Sequence, residues 1–450
     1  MVCPAHPPPR EKHVSAELTW IEIDLGTIAR NAAAIRRTVG PSVGLCAVVK
    51  ADAYGMGAVR VARALAKSDV SMLAVYSLDQ ARELVQAGIS LPILVLSPVR
   101  SLERDDRVYW AASRGLIHLT IHDADNLKAI TSIAEGLGIN LPVHLDLDTG
   151  MGRGGACLND SPTGASALAA RIVEHPRLRL AGVCTHWATS DTDGMHLRLQ
   201  VERFERWISE MEHILPKDCT IHGSHTPGVF RGTRLHYGMV RVGIGLFGYA
   251  SETFGPAERF DLGRAASDLT PSIRWATHVV HVKSVDPGWS VGYGCTWRAQ
   301  RPTRLALLPV GYADGYPIAL SNKGAVGIAM GDGRVALAPV VGRVSMDQMV
   351  VDVTDLPETL VAAGTEVELI GRHRGSPNGL AELAKAAGTI PHQLLTGLSA
   401  RLPRRYVYST AHPSAADTTE RAATPAPAPA GVIRPAPTPT PAPSRAAARG

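Results

Sequence analysis

The chain has 450 residues, 45% of them hydrophobic and 19% charged, with a formal net charge of only +5. That length suits two or three domains, or one α/β barrel of about 250 residues with a partner domain, and its scattered basic residues exclude a nucleic-acid stripe. Six cysteines without paired spacing (Cys3, Cys46, Cys157, Cys184, Cys219 and Cys295) exclude a disulfide framework and a zinc site and fit a reducing cytoplasm. The first residues, MVCPAHPPPREKH, hold no apolar signal segment, and no apolar run reaches transmembrane length. A soluble cytoplasmic protein is expected.

Residues 1–14 read as a disordered extension. The first conspicuous element is GLCAVVKADAYGMG (44–57). Its apolar run Leu45–Val49 ends on Lys50, followed by Tyr54 and two glycines. A lysine whose ammonium reaches water from a strand end is the common case. A lysine set in a pocket as an amine nucleophile, with a lowered pKa, is the sharper one. Further strand-length runs follow: 72–76, 93–96, 117–121, 143–147, 180–186, 219–223 and 240–248. Between most of them lie helical patterns, such as 59–68, 79–88 and 196–215. Eight strands alternating with helices predict a closed parallel (β/α)₈ barrel over 15–268. An open doubly wound sheet would show a glycine fingerprint after its first strand, and none is present.

From about residue 269 to 410 short strands separated by Gly, Pro and Asp turns predict a mainly-β domain of antiparallel hairpins. GDGR (331–334) is the expected turn of one hairpin, and LAELAKAAG (380–388) one helix. From 411 to 450 the Ala/Pro/Thr/Arg tail reads as disordered, with polyproline character.

The loops after the C-terminal ends of barrel strands form the active face of such a fold. Here that face gathers Lys50 and Tyr54, then Asp146 and DTGMGRGG (148–155) with Arg153. His186, HGSHTPG (222–228), Arg241, Gly243 and Ile244 follow. Singly each has an ordinary structural explanation; the shared rim is the signal. Loops seven and eight form the usual phosphate site of a barrel, which suits Ser224, Thr226 and the backbone at Gly243 and Ile244. A lysine on one side and a phosphate cradle on the other point to pyridoxal 5′-phosphate held as a Schiff base.

These motifs resemble the alanine racemases. The matching segments are W-x-EIDL (20–25), AVVKADAYGMG (47–57), DTGMGR (148–153), THWATSD (185–191), MVRVGIGLFG (239–248), VGYG (291–294), GYADGYP (311–317) and GRVSMDQ (342–348). The resemblance implies a (β/α)₈ barrel with a C-terminal β domain, racemisation of alanine for peptidoglycan, and a homodimer. It implies Lys50 as Schiff-base lysine and one catalytic base, and Tyr293 as the other. Tyr54 resembles the phosphate-binding tyrosine, Arg241 the arginine facing the pyridine nitrogen, and Arg153 the one near the substrate carboxylate. The resemblance also implies that His186 joins Arg241 in a network with Tyr293. Met346, Asp347 and Tyr293 resemble groups that complete the pocket from a partner subunit, and Tyr312 resembles a gate tyrosine.

Two bases on opposite faces of Cα remove one proton and return another without moving the intermediate. Lysine and tyrosine both have ordinary pKa values near 10. Desolvation lowers the first and raises the second, so the tyrosine needs positive neighbours. Five residues at four places depart from the family pattern. Asp146 stands where many members carry a carbamylated lysine, which suggests a fixed negative charge towards Arg153. His225 and Thr226 replace Asn and Ser. His392 replaces a phosphate-binding tyrosine, and Ile318 an entrance arginine. Alternatives are a racemase of serine or basic amino acids and a non-catalytic cofactor-binding protein.

Overall fold

The computed structural model describes residues 18–192, 194–250, 266–331 and 334–409. The two extensions read as disordered, 1–14 and 411–450, lie outside the described residues. Eight parallel strands form the barrel: Gly44–Val48, Met72–Val75, Ile93–Val95, Ile117–Ile121, Leu141–Asp148, Leu178–Cys184, Thr220–His222 and Met239–Val242. They pair in that order, and the eighth returns to the first in the register Met239 opposite Gly44 and Val242 opposite Ala47. The seam between strands seven and eight carries backbone bonds from Gly238 N to Ile221 O (2.9 Å) and from Arg241 N to Ser224 O (2.8 Å).

Burial on both faces explains why the barrel strands read as continuous apolar runs. Along the first strand Leu45, Ala47 and Val49 pack outward in the main core. Cys46 and Val48 face the lumen with Met72, Ala74, Leu94 and Met239. Side chains alternate across a strand, so Lys50 falls in the lumen-facing series after Cys46 and Val48. The outer layer is made by helices of ordinary construction. In Ala58–Leu65 the buried residues include Ala58, Val61, Ala62 and Leu65, one stripe at helical spacing. Ala124–Leu137 is capped by Asp123, whose Oδ1 accepts from Asn126 N at 2.7 Å, and ends at left-handed Gly138 (φ 68°), the usual glycine stop.

A second sheet of nine strands has the order His281–Val285, Thr303–Leu308, Met349–Asp352, Val335–Val341, Ala325–Ala329, Glu366–Ile370, Ile273–His278, Thr19–Asp24, Arg404–Val407. Neighbours are antiparallel except the last pair. The sequence reading put Thr19–Asp24 in the barrel region; it is a strand of this second sheet instead. Its pattern is the reason. Ile21 and Ile23 are fully buried, while Glu22 on the other face pairs with Arg372 at 2.8 Å. Trp20 and Asp24 on that second face are buried as well, but the part-exposed ion pair between them breaks the continuous apolar run of a barrel wall. The expected hairpin joins Ala325–Ala329 to Val335–Val341, and the expected helix is Leu380–Ala387. A second short helix, Pro391–Thr396, was not anticipated; it brings His392 to the barrel mouth.

Candidate active site

Lys50 leaves its strand into an unusual turn. Ala51, Asp52, Ala53 and Tyr54 all have φ between 51° and 61°, a left-handed run that costs about 1–2 kcal/mol per residue for L-amino acids. Backbone bonds hold it: Ala53 N to Val49 O and Gly57 N to Asp52 O, both 2.9 Å. The Asp52 carboxylate accepts from Ala58 N at 2.6 Å and so ties the turn to the next helix. Strain of this kind survives where the surroundings over-determine it. Its result is to fold Tyr54 back under the mouth, buried against Phe247 (ring centroids 5.4 Å) and His392 (5.7 Å).

Tyr54 then meets the eighth strand's exit. A Cβ on Gly243 would lie 1.9 Å from the Tyr54 hydroxyl, so glycine is required for this approach. Thr226 Oγ1 accepts from Gly243 N (3.4 Å) and Gly245 N (3.2 Å), and Ile244 opens a single 3₁₀ turn between them. Thr226, Tyr54, Gly243 and Ile244 are thus brought together, with His392 beside them. Ser224 is not part of this group: its buried hydroxyl donates to Leu235 O at 2.7 Å. Two residues from Thr226, it belongs to the wall behind the cradle, its proton committed to the Leu235 carbonyl.

Arg241 lies across the mouth, also in the lumen-facing series. Its Nη1 donates to His222 Nδ1 (2.5 Å) and His222 O (3.2 Å). Its Nη2 donates to Thr185 O (2.7 Å) and Gly223 O (3.3 Å) and lies 3.4 Å from His186 Nδ1. His186 stacks on His225 at 4.4 Å. Burial, then neighbouring His225 and Arg241, push the His186 pKa well below the usual range. Lys50 is lowered too, first by burial, then by Arg153 and Arg241. That favours the free amine a nucleophile and base requires.

Asp146 does not serve Arg153 as expected. Its Oδ2 lies 3.1 Å from His122 Nδ1, and Cys184 Sγ donates to its Oδ1 at 3.6 Å. His122 Nε2 in turn is 2.9 Å from Leu96 O. The shorter carboxylate stays on the barrel wall, where strand neighbours reach it first. Arg153 is exposed.

The remaining predicted residues belong to the second domain and point outward. Tyr293 is 69% exposed, on a 3₁₀ turn entered through Gly292 (φ 73°). Tyr312 and Met346 are exposed as well, on two loops stitched together by Tyr312 N to Ser345 O and Ala313 N to Met346 O, both 3.0 Å. Arg401 bridges them, donating to Asp314 (2.8 Å) and Asp347 (2.7 Å). No contact among the described residues joins Tyr293 to Lys50, His186 or Arg241. Sequence reasoning quoted His222 only within HGSHTPG (222–228) and did not single out His122, which follows its strand Ile117–Ile121 at the exit, two residues beyond the lumen-facing Thr120.

The residues present fit pyridoxal phosphate. His225 Nδ1 and His392 Nδ1 are buried without a hydrogen-bond partner. They flank the Thr226–Gly243–Tyr54 cradle, while a depressed lysine and a buried guanidinium line the opposite side. The comparisons agree. The alanine racemase N-terminal domain model matches residues 23–251 and the C-terminal domain model residues 272–406. The chain belongs to the alanine racemase family. An alanine racemase of Symbiobacterium thermophilum is 37% identical over 395 residues, 87% of this chain and 98% of that protein. The crystal structure of alanine racemase from a D-cycloserine-producing Streptomyces lavendulae superposes with a TM-score of 0.75 at 29% identity, covering 87% of this chain and 97% of that one. The Bartonella henselae alanine racemase, crystallised with covalently bound pyridoxal phosphate, gives 0.70 at 25%, covering 87% and 99%. The chain is an amino-acid racemase, an isomerase, with pyridoxal 5′-phosphate as its cofactor.

Proposed function

We propose that this protein interconverts L- and D-alanine with Lys50 and Tyr293 as the two bases, as a cytoplasmic homodimer supplying D-alanine for peptidoglycan. The observation that carries the assignment is the barrel rim: Lys50 with a lowered pKa faces Arg241, beside the Thr226–Gly243–Tyr54 cradle. Lys50 holds the cofactor at rest, and its amine moves a proton at Cα on one face of the substrate. Tyr54, Thr226, His392 and the Gly243 and Ile244 backbone hold the phosphate, with His225 alongside. His186 flanks the cofactor ring. Arg241 donates to the ring nitrogen; a guanidinium does not release its proton, so it leaves that nitrogen unprotonated and limits side reactions of a long-lived carbanion. Bound pyridoxal phosphate supplies the electron sink for the carbanion formed when Cα loses its proton.

Tyr293 acts on the other face of Cα. Its exposure in one chain supports its delivery by a second copy, along with Met346 and Asp347 at the pocket edge and Tyr312 at the gate. Arg153 binds the substrate carboxylate. The test is an absorbance spectrum of the purified protein with a coupled assay of L-alanine conversion. A cofactor band lost on Lys50→Ala, with D-alanine appearing, supports the reading. A band with conversion of serine or a basic amino acid, but not alanine, replaces the substrate. No band after adding pyridoxal phosphate overturns it.

A further inference from the structure

Behind Arg241 the barrel lumen contains a column of histidines that the proposed chemistry does not use. His222 Nε2 lies 2.8 Å from His144 Nδ1, and His144 Nε2 lies 2.9 Å from His118 Nδ1. The rings come from strands seven, five and four. His222 and His144 are fully buried and His118 nearly so. His118 is the second residue of its strand, so the column runs from the catalytic mouth towards the opposite end of the barrel. The strand between five and seven makes room for it: a Cβ on Gly182 would lie 2.4 Å from His144 Nδ1. A register shift beside His144 sets Gly182 opposite that ring.

The direction of every hydrogen bond in this column follows from its first member. A guanidinium nitrogen can only donate, so His222 Nδ1 accepts from Arg241. His222 then carries its proton on Nε2 and donates to His144 Nδ1. His144 in turn donates from Nε2 to His118 Nδ1, and His118 holds its proton on Nε2. Protonating any ring a second time would set two N–H groups against each other. The charged groups facing the column are both cations: Arg241 at the mouth and Arg179 near His118. Burial is the larger influence, and it pushes His144 and His222 well below the usual range and His118 down to about 4. Among the described residues no group of three such side chains is arranged to hold a metal ion.

Arg241 is therefore a buried cation surrounded by dipoles. Its partners are the carbonyls of Thr185, His222 and Gly223, the His222 ring and, at 3.4 Å, the His186 ring, and among the described residues no carboxylate forms an ion pair with it. A buried charge needs such compensation. A carboxylate would also have cancelled its charge, whereas oriented neutral imidazoles stabilise it and leave that charge available at the mouth.

We infer that His222, His144 and His118 form a one-directional hydrogen-bond relay that orients Arg241 without an ion pair to cancel its charge, with His144 and His118 as positioning residues for the racemase. This rests on the reading of Arg241 as the group facing the cofactor ring nitrogen. The relay also explains the conspicuous absence of a side chain at Gly182.

Neutron crystallography of the cofactor-loaded enzyme tests it directly. The expected maps place deuterium on Nε2 and none on Nδ1 in all three rings, at pH 5.5 and at pH 8. Deuterium on any Nδ1, or on both nitrogens of one ring, overturns the relay whatever the cofactor does. Should the rings carry the expected deuterium while Arg241 turns away from the cofactor nitrogen, the reading of Arg241 fails and the relay's role in catalysis falls with it. Two variants add a kinetic readout. His144→Gln keeps one acceptor and one donor; His144→Leu keeps neither but packs as well. The relay predicts a loss of kcat in His144→Leu, restored in His144→Gln, with the alanine KM unmoved in both. The opposite ranking would mean that the column only fills space.

Discussion

The two halves of the proposed pocket are built differently. The barrel half is buried and over-determined. Tyr54 is fixed by a left-handed turn, Arg241 by five hydrogen-bond contacts, and Thr226 by two backbone donors. The second-domain half is ordered just as firmly at the backbone, through Gly292 and the Arg401 bridge. Yet its chemistry-bearing side chains stand in the open, with Tyr293, Met346, Ile318 and Tyr312 each at least 44% exposed. Large apolar groups held open to solvent on an ordered loop mark an interaction surface. The barrel half is built within one chain; in the reading proposed above, the second-domain half acquires its surroundings from another copy.

The sharpest way to separate the halves is Tyr293→Phe. It removes one base and nothing from the barrel. Racemisation should fall by about 10²–10⁴-fold, the usual worth of a general acid or base, while the cofactor absorbance band stays unchanged. Loss of the band would mean that Tyr293 belongs to the cofactor site. His392→Leu probes a second-domain residue that reaches the barrel mouth of its own chain. It should weaken cofactor binding by about 10–100-fold, as for a hydrogen bond to a charged group, read by titrating pyridoxal phosphate into cofactor-free protein. An unchanged affinity would detach His392 from the phosphate.

The smallest expected effect concerns Lys50. Its folded pKa lies below the ordinary lysine value, chiefly through burial, so the unfolded chain binds that proton more tightly. Stability of the cofactor-free protein should then rise with pH from the lowered value up to the ordinary one near 10.5. Lys50→Met should flatten that rise in denaturant titrations between pH 7 and 10. An identical slope in the variant would show that the barrel does not depress this lysine.

Much of the barrel was legible because both faces of its strands are buried, which writes short apolar runs bounded by turn signals and separated by helical patterns. All eight runs became strands. Thr19–Asp24 was assigned to the barrel region because nothing local says which sheet an edge segment joins; its pairing partners lie some 250 to 390 positions away. Lys50, Arg241 and Thr226 were readable from rim position. Ser224 was not, since a hydroxyl two residues from the cradle looks the same in sequence whether it faces a phosphate or the Leu235 carbonyl. The Asp146–His122 pair joins neighbouring strands. The left-handed turn was hidden for another reason: Ala51 to Tyr54 contain no glycine to announce it.

The central claim is that Lys50 and Tyr293 of one working site come from different copies. Co-expressing Lys50→Ala with Tyr293→Phe tests it, since each variant alone should keep at most about 1% of wild-type activity. In a mixed dimer one site inherits both substitutions and the other neither. Random pairing gives half mixed dimers, so about a quarter of wild-type activity should return. No recovery, with mixed dimers demonstrated by differential tagging, would contradict the account and put both bases in a single chain.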